Sequence, residues 1–146
     1  MNHDHYDDDY ILGILKAVKV IALVGASPDP SRPSNSVMQY LQERGYKVIP
    51  VNPGQAGKAI NGATVVASLA DIDEPVDMVE VFRASDYLPK VVEEALALRH
   101  TPKVIWSQLG VRDDSAAALA EQAGVKVVMN RCPAIEIPRL MGGPAH

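Results

Sequence analysis

The sequence offers a single cysteine, Cys132, and that scarcity excludes an internal disulfide framework. No apolar run approaches the roughly 20 residues a membrane-spanning helix needs, so no membrane partner is expected. The acidic opening, MNHDHYDDDY, lacks the basic and apolar blocks of a secretory leader, and cytoplasmic residence is the expectation. A basic excess is missing too. The formal charge is −4, from 14 Lys and Arg against 18 Asp and Glu. Asp4, Asp7, Asp8 and Asp9 supply four of those acids, so residues 10–146 balance 14 against 14. Nucleic-acid binding needs a cationic surface to displace counterions, and no such partner is expected. The four histidines, His3, His5, His100 and His146, assemble no ligand set. Residues 1–9 therefore read as a flexible acidic segment rather than a metal site.

Two further absences bear on the cofactor. The segment VIALVGASPDPSRPSN (20–35) is an apolar run that stops at Gly25, crosses a Pro- and Ser-rich turn, and opens a helix. That order suits a phosphate cradle. After Gly25, however, come Ala26, Ser27 and Pro28, so the second and third glycines of the dinucleotide fingerprint are missing. The second strand ends in Asn52, Pro53 and Gly54, where an NAD site wants a carboxylate on the ribose. Both absences disfavour NAD.

With 47% apolar residues in 146, the chain is long enough for one domain with its own core. Five continuous apolar, β-branched runs recur at 18–25, 47–53, 76–83, 103–110 and 125–132. Unbroken apolar character, without alternation, marks strands buried on both faces of a parallel sheet. Helical stretches at 34–44, 86–100 and 113–123 separate them, with shorter ones expected at 7–17 and 133–140. Gly45 and Gly124 stand as helix stops in the parallel pieces RGYKVIPVN and AGVKVVMNR. Ser85 is the expected N-cap of the 86–100 helix, with Pro89 early in it. Residues 54–75 carry a weaker signal, with a short edge strand at 63–67.

The fold class that follows is α/β: a doubly wound, mostly parallel Rossmann-like sheet, strand order about 3-2-1-4-5, in a single domain. The domain spans residues 10–140, and residues 141–146 should fray. Ligands of such sheets sit at the carboxyl ends of the strands, where the order reverses between strands 1 and 4. That rule gathers five turns: GASPDPSR, VNPG, FRAS, SQLG and NRCP.

The first turn offers Gly25, two capping candidates (Ser34 and Ser36), Asn35 and the fixed charge of Arg32, a set suited to phosphate. Val51, Asn52 and Pro53 make an apolar wall with an amide, suited to an adenine edge. Lys58 either meets a phosphate or is a solvated loop lysine. Phe82 is core or ligand wall. Arg83 either touches ligand or pairs with a carboxylate such as Glu80. Trp106 belongs to the core, while Gln108 and Gly110 are rim candidates. Cys132, with Asn130 and Arg131 before it, is a buried or ligand-lining thiol; no histidine is placed to make it a nucleophile.

Taken in order, VGASPDPSRPSNSV, GYKVIPVNPG, VDMVEVFR, VIWSQLGV and VVMNRCP resemble the CoA-binding domain family. These are small Rossmann-like proteins similar to the N-terminal domain of the succinyl-CoA synthetase α subunit. The resemblance runs from about residue 14 to 140. It implies CoA or an acyl-CoA over the carboxyl rim, with phosphates near Gly25, Ala26, Ser27, Arg32, Ser34 and Asn35. Adenine would lie near Val51, Asn52 and Pro53. Phe82, Arg83, Gln108, Gly110, Asn130 and Cys132 would line the remainder. The synthetases also need a phosphohistidine in a second domain, and no histidine here matches it. The expected function is therefore non-catalytic binding, as carrier, sensor or regulator, and not an enzyme. An NAD(P)-dependent oxidoreductase and an interaction subunit that has lost its ligand are the alternatives. A homo-oligomeric or protein partner stays open.

Overall fold

The computed structural model describes residues 1–142. In chain order the helices are α1 (Asp8–Ala17), α2 (Pro33–Glu43), α3 (Leu88–Leu96), α4 (Asp114–Gln122) and α5 (Pro133–Met141). The strands are β1 (Val20–Val24), β2 (Lys47–Val51), β3 (Ala59–Ile60), β4 (Ala63–Thr64), β5 (Met78–Val81), β6 (Val104–Ser107) and β7 (Lys126–Val128). Five of them form one parallel sheet in the order β2-β1-β5-β6-β7, and β3 pairs antiparallel with β4. The order reverses between β1 and β5, as the sequence predicts. The expected edge strand at 63–67 contributes less than a full strand. Beyond the β3–β4 pair, Val66 makes one parallel bridge to Val51.

The period of two along each strand divides the core. Ile21, Leu23, Met78, Val104, Trp106 and Val128 face α1, α2 and α5. Ala22, Val24, Val79, Val81, Ile105 and Val127 face α3 and α4. Both faces are covered, which is why the buried strand positions are apolar with few exceptions, Glu80 of β5 among them. The two glycine stops are built alike. Tyr46 N–H reaches back to Leu41 O (3.1 Å) past Gly45 at φ +95°, and Val125 N–H to Ala120 O (3.0 Å) past Gly124 at φ +83°. These six-to-one bonds satisfy the last helix carbonyls and aim the chain into the next strand. Among the described residues no helix is long and apolar enough to cross a membrane.

Three expectations are revised. The segment 1–9 is docked: His3 and Tyr6 are buried, and α1 begins at Asp8. Acidic composition concealed the His3 and Tyr6 side chains, which find partners across the chain. Ser85 does not cap α3. It opens a short 3-10 turn, Ser85–Tyr87, and its hydroxyl serves the neighbouring rim turn instead. Residues 143–146, within the expected frayed end, lie outside the described residues, while Met141 still closes α5.

One buried group sets a pH dependence. Glu80 is fully buried on β5, and neither carboxyl oxygen has a hydrogen-bond partner among the described residues. Burial pushes its carboxyl well above the ordinary range, and the neighbouring Cys132 acts in the same direction. The unfolded chain releases that proton near pH ~4.3, while the folded chain keeps it to higher pH. Stability is therefore full below the unfolded value and falls as pH rises toward the folded one, by at most about 1.4 kcal/mol per pH unit. Glu80→Gln should flatten this decline and gain on the wild type between pH 5 and pH 8. Denaturant unfolding at the two pH values checks it, and parallel profiles would refute it.

Candidate functional site

The turn after β1 is shaped by contact between strand ends. Gly25 has φ +91°, and a Cβ there would lie 2.7 Å from Phe82 O and 3.2 Å from Arg83 Cδ. Only glycine fits, because β5 leaves the sheet across its face. The Gly25 and Ala26 N–H groups both donate to Val51 O (3.1 and 3.3 Å), and Phe82 N–H donates to Val24 O (2.8 Å). Three strand ends are thus tied at one point. The chain then folds on its own side chains. Asp29 N–H donates to Ser27 Oγ (3.1 Å), and Ser31 donates to Asp29 Oδ1 through its N–H (2.9 Å) and hydroxyl (2.8 Å). Those two Ser31 bonds hold the Asp29 carboxyl below its ordinary value.

α2 starts at Pro33 from Arg32, with no side-chain cap. The expected caps are used otherwise: Ser34 is buried, and the Ser36 hydroxyl donates to Pro33 O (3.2 Å). An uncapped first turn leaves N–H groups and the positive helix end facing the rim, beside an exposed arginine.

These turns enclose a cleft of about 790 Å³, a volume suited to a sizeable small molecule. Eleven of the sequence-predicted residues line it. Gly25, Ala26, Ser27, Arg32 and Ser34 form one lip, Val51, Asn52 and Pro53 the next, Phe82 and Arg83 a third, and Gln108 the fourth. The cations there are Arg32 and Arg83 against one carboxylate, Glu94. Among the described residues neither arginine forms an ion pair. Arg83 does not pair with Glu80; its guanidinium lies 3.8 Å from the Tyr87 ring centroid. A cation resting on a ring is available to an anion at modest cost.

Four predicted residues lie off the lining. Gly110 belongs to the turn that carries the fourth lip, and its N–H is taken by Asn130 Oδ1 (2.7 Å), with Asn130 at φ +57°. Asn35 Nδ2 donates to Ser27 O (2.9 Å) and shapes the first turn from behind. Cys132 is buried in the core at the N-cap of α5. Trp106 is core, as expected, and its Nε1–H donates to Arg131 O (2.9 Å). Lys58 is exposed and away from the cleft. Leu109 of the expected SQLG turn lines it as well, and Ser68, Leu69, Tyr87, Val91, Glu94 and Val111 do so unforeseen. One signal was readable: SLAD (68–71) is a Ser-x-x-Asp pair, and Ser68 N–H and Oγ both donate to Asp71 Oδ2 (3.1 and 3.0 Å). Among the described residues no group of three or more His, Cys, Asp or Glu is placed to hold a metal ion.

A sequence model of the family described as CoA binding domain matches residues 19–138. The chain is 41% identical over 119 residues to Uncharacterized protein YneT of Bacillus subtilis, covering 82% of this chain and 85% of that one. It is 30% identical over 122 residues to the ADP-forming acetate–CoA ligase I of Archaeoglobus fulgidus. That match takes in 78% of this chain and 18% of the ligase, so the chain spans under a fifth of that relative. Among solved structures, cell-free ID.343 from Thermus thermophilus superposes with a TM-score of 0.86 at 42% identity, covering 92% of this chain and 99% of that one.

The contact at Gly25 yields a direct test. Gly25→Ala should lose about 1–3 kcal/mol, from a left-handed φ and from the approach to Phe82 O. Gly57→Ala is the control, since Gly57 has φ +84° and a Cβ placed there would meet nothing within 4 Å. It isolates the backbone strain and should lose less. Equal losses in urea unfolding would mean that the Phe82 contact contributes nothing.

Proposed function

The chain belongs to the CoA-binding domain family, and on that premise we propose that the rim cleft binds CoA or an acyl-CoA, the protein serving as carrier, sensor or regulator without chemistry of its own. One observation carries the reading. The cleft lies at the β1–β5 reversal, where the uncapped start of α2, Arg32 and Arg83 converge on a space of about 790 Å³. Phosphates would be met at Arg32 and the first turn of α2 by charge-assisted bonds and the helix end. The apolar wall of Val51, Pro53 and Leu69 would take a flat base. Gln108, Leu109 and Val111 would border the uncharged arm. The burial of Cys132 away from the lining supports binding without covalent catalysis.

CoA at ~100 times its dissociation constant should stabilise the fold by about 2.7 kcal/mol, a melting shift of several degrees. NADH should not, given the missing glycines and acid. Equal shifts with both would reject the reading.

The arginines separate by role. Arg32 stands between Pro30 and Pro33, so little ordering entropy remains to be lost at its backbone. Arg32→Ala should weaken CoA about 10- to 150-fold, the range for one lost charge-assisted bond. Titrating Arg32→Ala and Arg83→Ala with CoA and dephospho-CoA then finds the 3′-phosphate contact. The variant that no longer distinguishes the two ligands has lost it. Wild-type affinity for both ligands in Arg32→Ala would overturn the anchor assignment.

A further inference from the structure

The N-terminal segment touches no ligand wall, yet it is bonded to both turns that carry the fourth lip of the cleft. Along the outer edge of β7, hydroxyl groups stand where another strand would pair. The Tyr10 hydroxyl donates to Val127 O (2.9 Å) and accepts the Val127 N–H (3.2 Å). The Tyr6 hydroxyl accepts the Met129 N–H (2.8 Å) and is hydrogen-bonded to His3 Nδ1 (2.6 Å). His3 Nε2 is hydrogen-bonded in turn to the Glu121 carboxylate (2.8 Å). The rings of Tyr6 and Tyr10 stack at 5.9 Å. Two arginines complete the attachment. Arg131 lies 5.0 Å over the Tyr6 ring and donates to Asp4 O (3.4 Å). Arg112 donates to the Asp4 carboxylate (2.7 Å) and to His3 O (3.4 Å).

The same residues hold the turn at 107–112. Arg131 N–H donates to Ser107 O (3.3 Å), and Asn130 N–H to Val111 O (3.2 Å). Asn130 Oδ1 takes the Gly110 N–H (2.7 Å). Arg112 N–H donates to Ser85 Oγ (2.9 Å), which donates to Gly110 O (3.3 Å). This turn presents Gln108, Leu109 and Val111 to the cleft. Val111 anchors one end of the turn in the core, while Leu109 and Gly110 are exposed, so its outer part takes its order from those bonds.

We infer that His3, Asp4 and Tyr6 are positioning residues for the Gln108–Val111 wall, so that ligand affinity depends on a segment that never meets the ligand. A wall already held in place has less ordering left to lose on binding. The affinity arm of the test rests on the CoA reading; the exchange arm does not.

Tyr6→Phe keeps the ring under Arg131 and removes the hydroxyl that joins Met129 to His3. Tyr46→Phe is its control. That hydroxyl donates to Leu15 O (2.5 Å), just ahead of β2 at the opposite end of the strands. In Tyr6→Phe, amide hydrogen exchange should speed up at Gly110 and Arg112 and stay unchanged at Gly25 and Gly54. CoA affinity by calorimetry should fall roughly 2- to 10-fold, the range one lost hydrogen bond allows. Tyr46→Phe should lower the melting temperature and alter neither readout. Unchanged exchange at Gly110 and Arg112 overturns the inference. Faster exchange with wild-type CoA affinity overturns its link to the site. A wild type that binds no CoA rejects the CoA reading alone, and the exchange data then decide the positioning role.

Discussion

The rim is organised around the approach of the β1 end to the β5 end, where Gly25 passes too close to Phe82 O for any side chain. The closeness follows from the parallel ladder itself. Val24 accepts from Phe82, Val51 accepts from Gly25 and Ala26, and the three strand ends are drawn to one point. With β1 fixed there, the chain leaves the sheet at a set angle and must turn within eight residues to begin α2. Pro28, Pro30 and Pro33 stiffen that turn, and the Ser27 and Asp29 side chains take up the Asp29 and Ser31 N–H groups. The position of Arg32 is thus a consequence of sheet geometry. The glycine commonly read as making room for a ligand here makes room for a neighbouring strand.

Polar side chains near the cleft divide by type. The asparagine amides hold backbone: Asn35 bonds Ser27 O, Asn52 bonds Ala26 O (2.8 Å) and Gly54 N–H (2.8 Å), and Asn130 bonds Gly110. Each carries donor and acceptor on one short stem, so it can satisfy turn carbonyls and N–H groups that no ladder reaches. Among the described residues, the guanidiniums at the cleft are left without carboxylate partners. A fixed scaffold of amides with unpaired cations at its lip is preorganised for anions, because the turns need not rearrange when one arrives.

Much of this was legible in the sequence, and the limits are physical. Unbroken apolar runs gave the five buried strands, the glycines gave the helix stops, and the reversal rule brought eleven of fifteen named residues to one cleft. Local pattern failed where a side chain bonds far along the chain. Ser85 looks like a cap, yet its partner lies in a turn 25 residues away, while Ser34 is simply buried and Ser36 bonds back to Pro33 O. Asn130 and Cys132 sit in a rim turn by position, while the left-handed φ at Asn130 aims one at Gly110 and the start of α5 buries the other. The docking of His3 and Tyr6 was invisible, because composition weighs four aspartates more than three rings that reach residues over a hundred positions ahead.

That docking also changes the electrostatic account. The formal charge of −4 suggests a molecule that repels anions, and the acids concentrate at the N-terminus. Asp4 is engaged by Arg112 and Asp8 by Arg139, each at 2.7 Å, so part of that excess is neutralised where it lies. Exposed pairs of this kind add little stability, but they confine the field. At physiological salt, charges beyond about 8 Å are largely screened. What an anion senses in the cleft is therefore local: Arg32, Arg83 and the start of α2 against Glu94. Long-range attraction contributes little, and the affinity for a phosphate-bearing ligand would be set by contact geometry after arrival. A site of that kind selects its ligand by shape and placed charges, and depends less on salt than one that gathers anions with a basic surface.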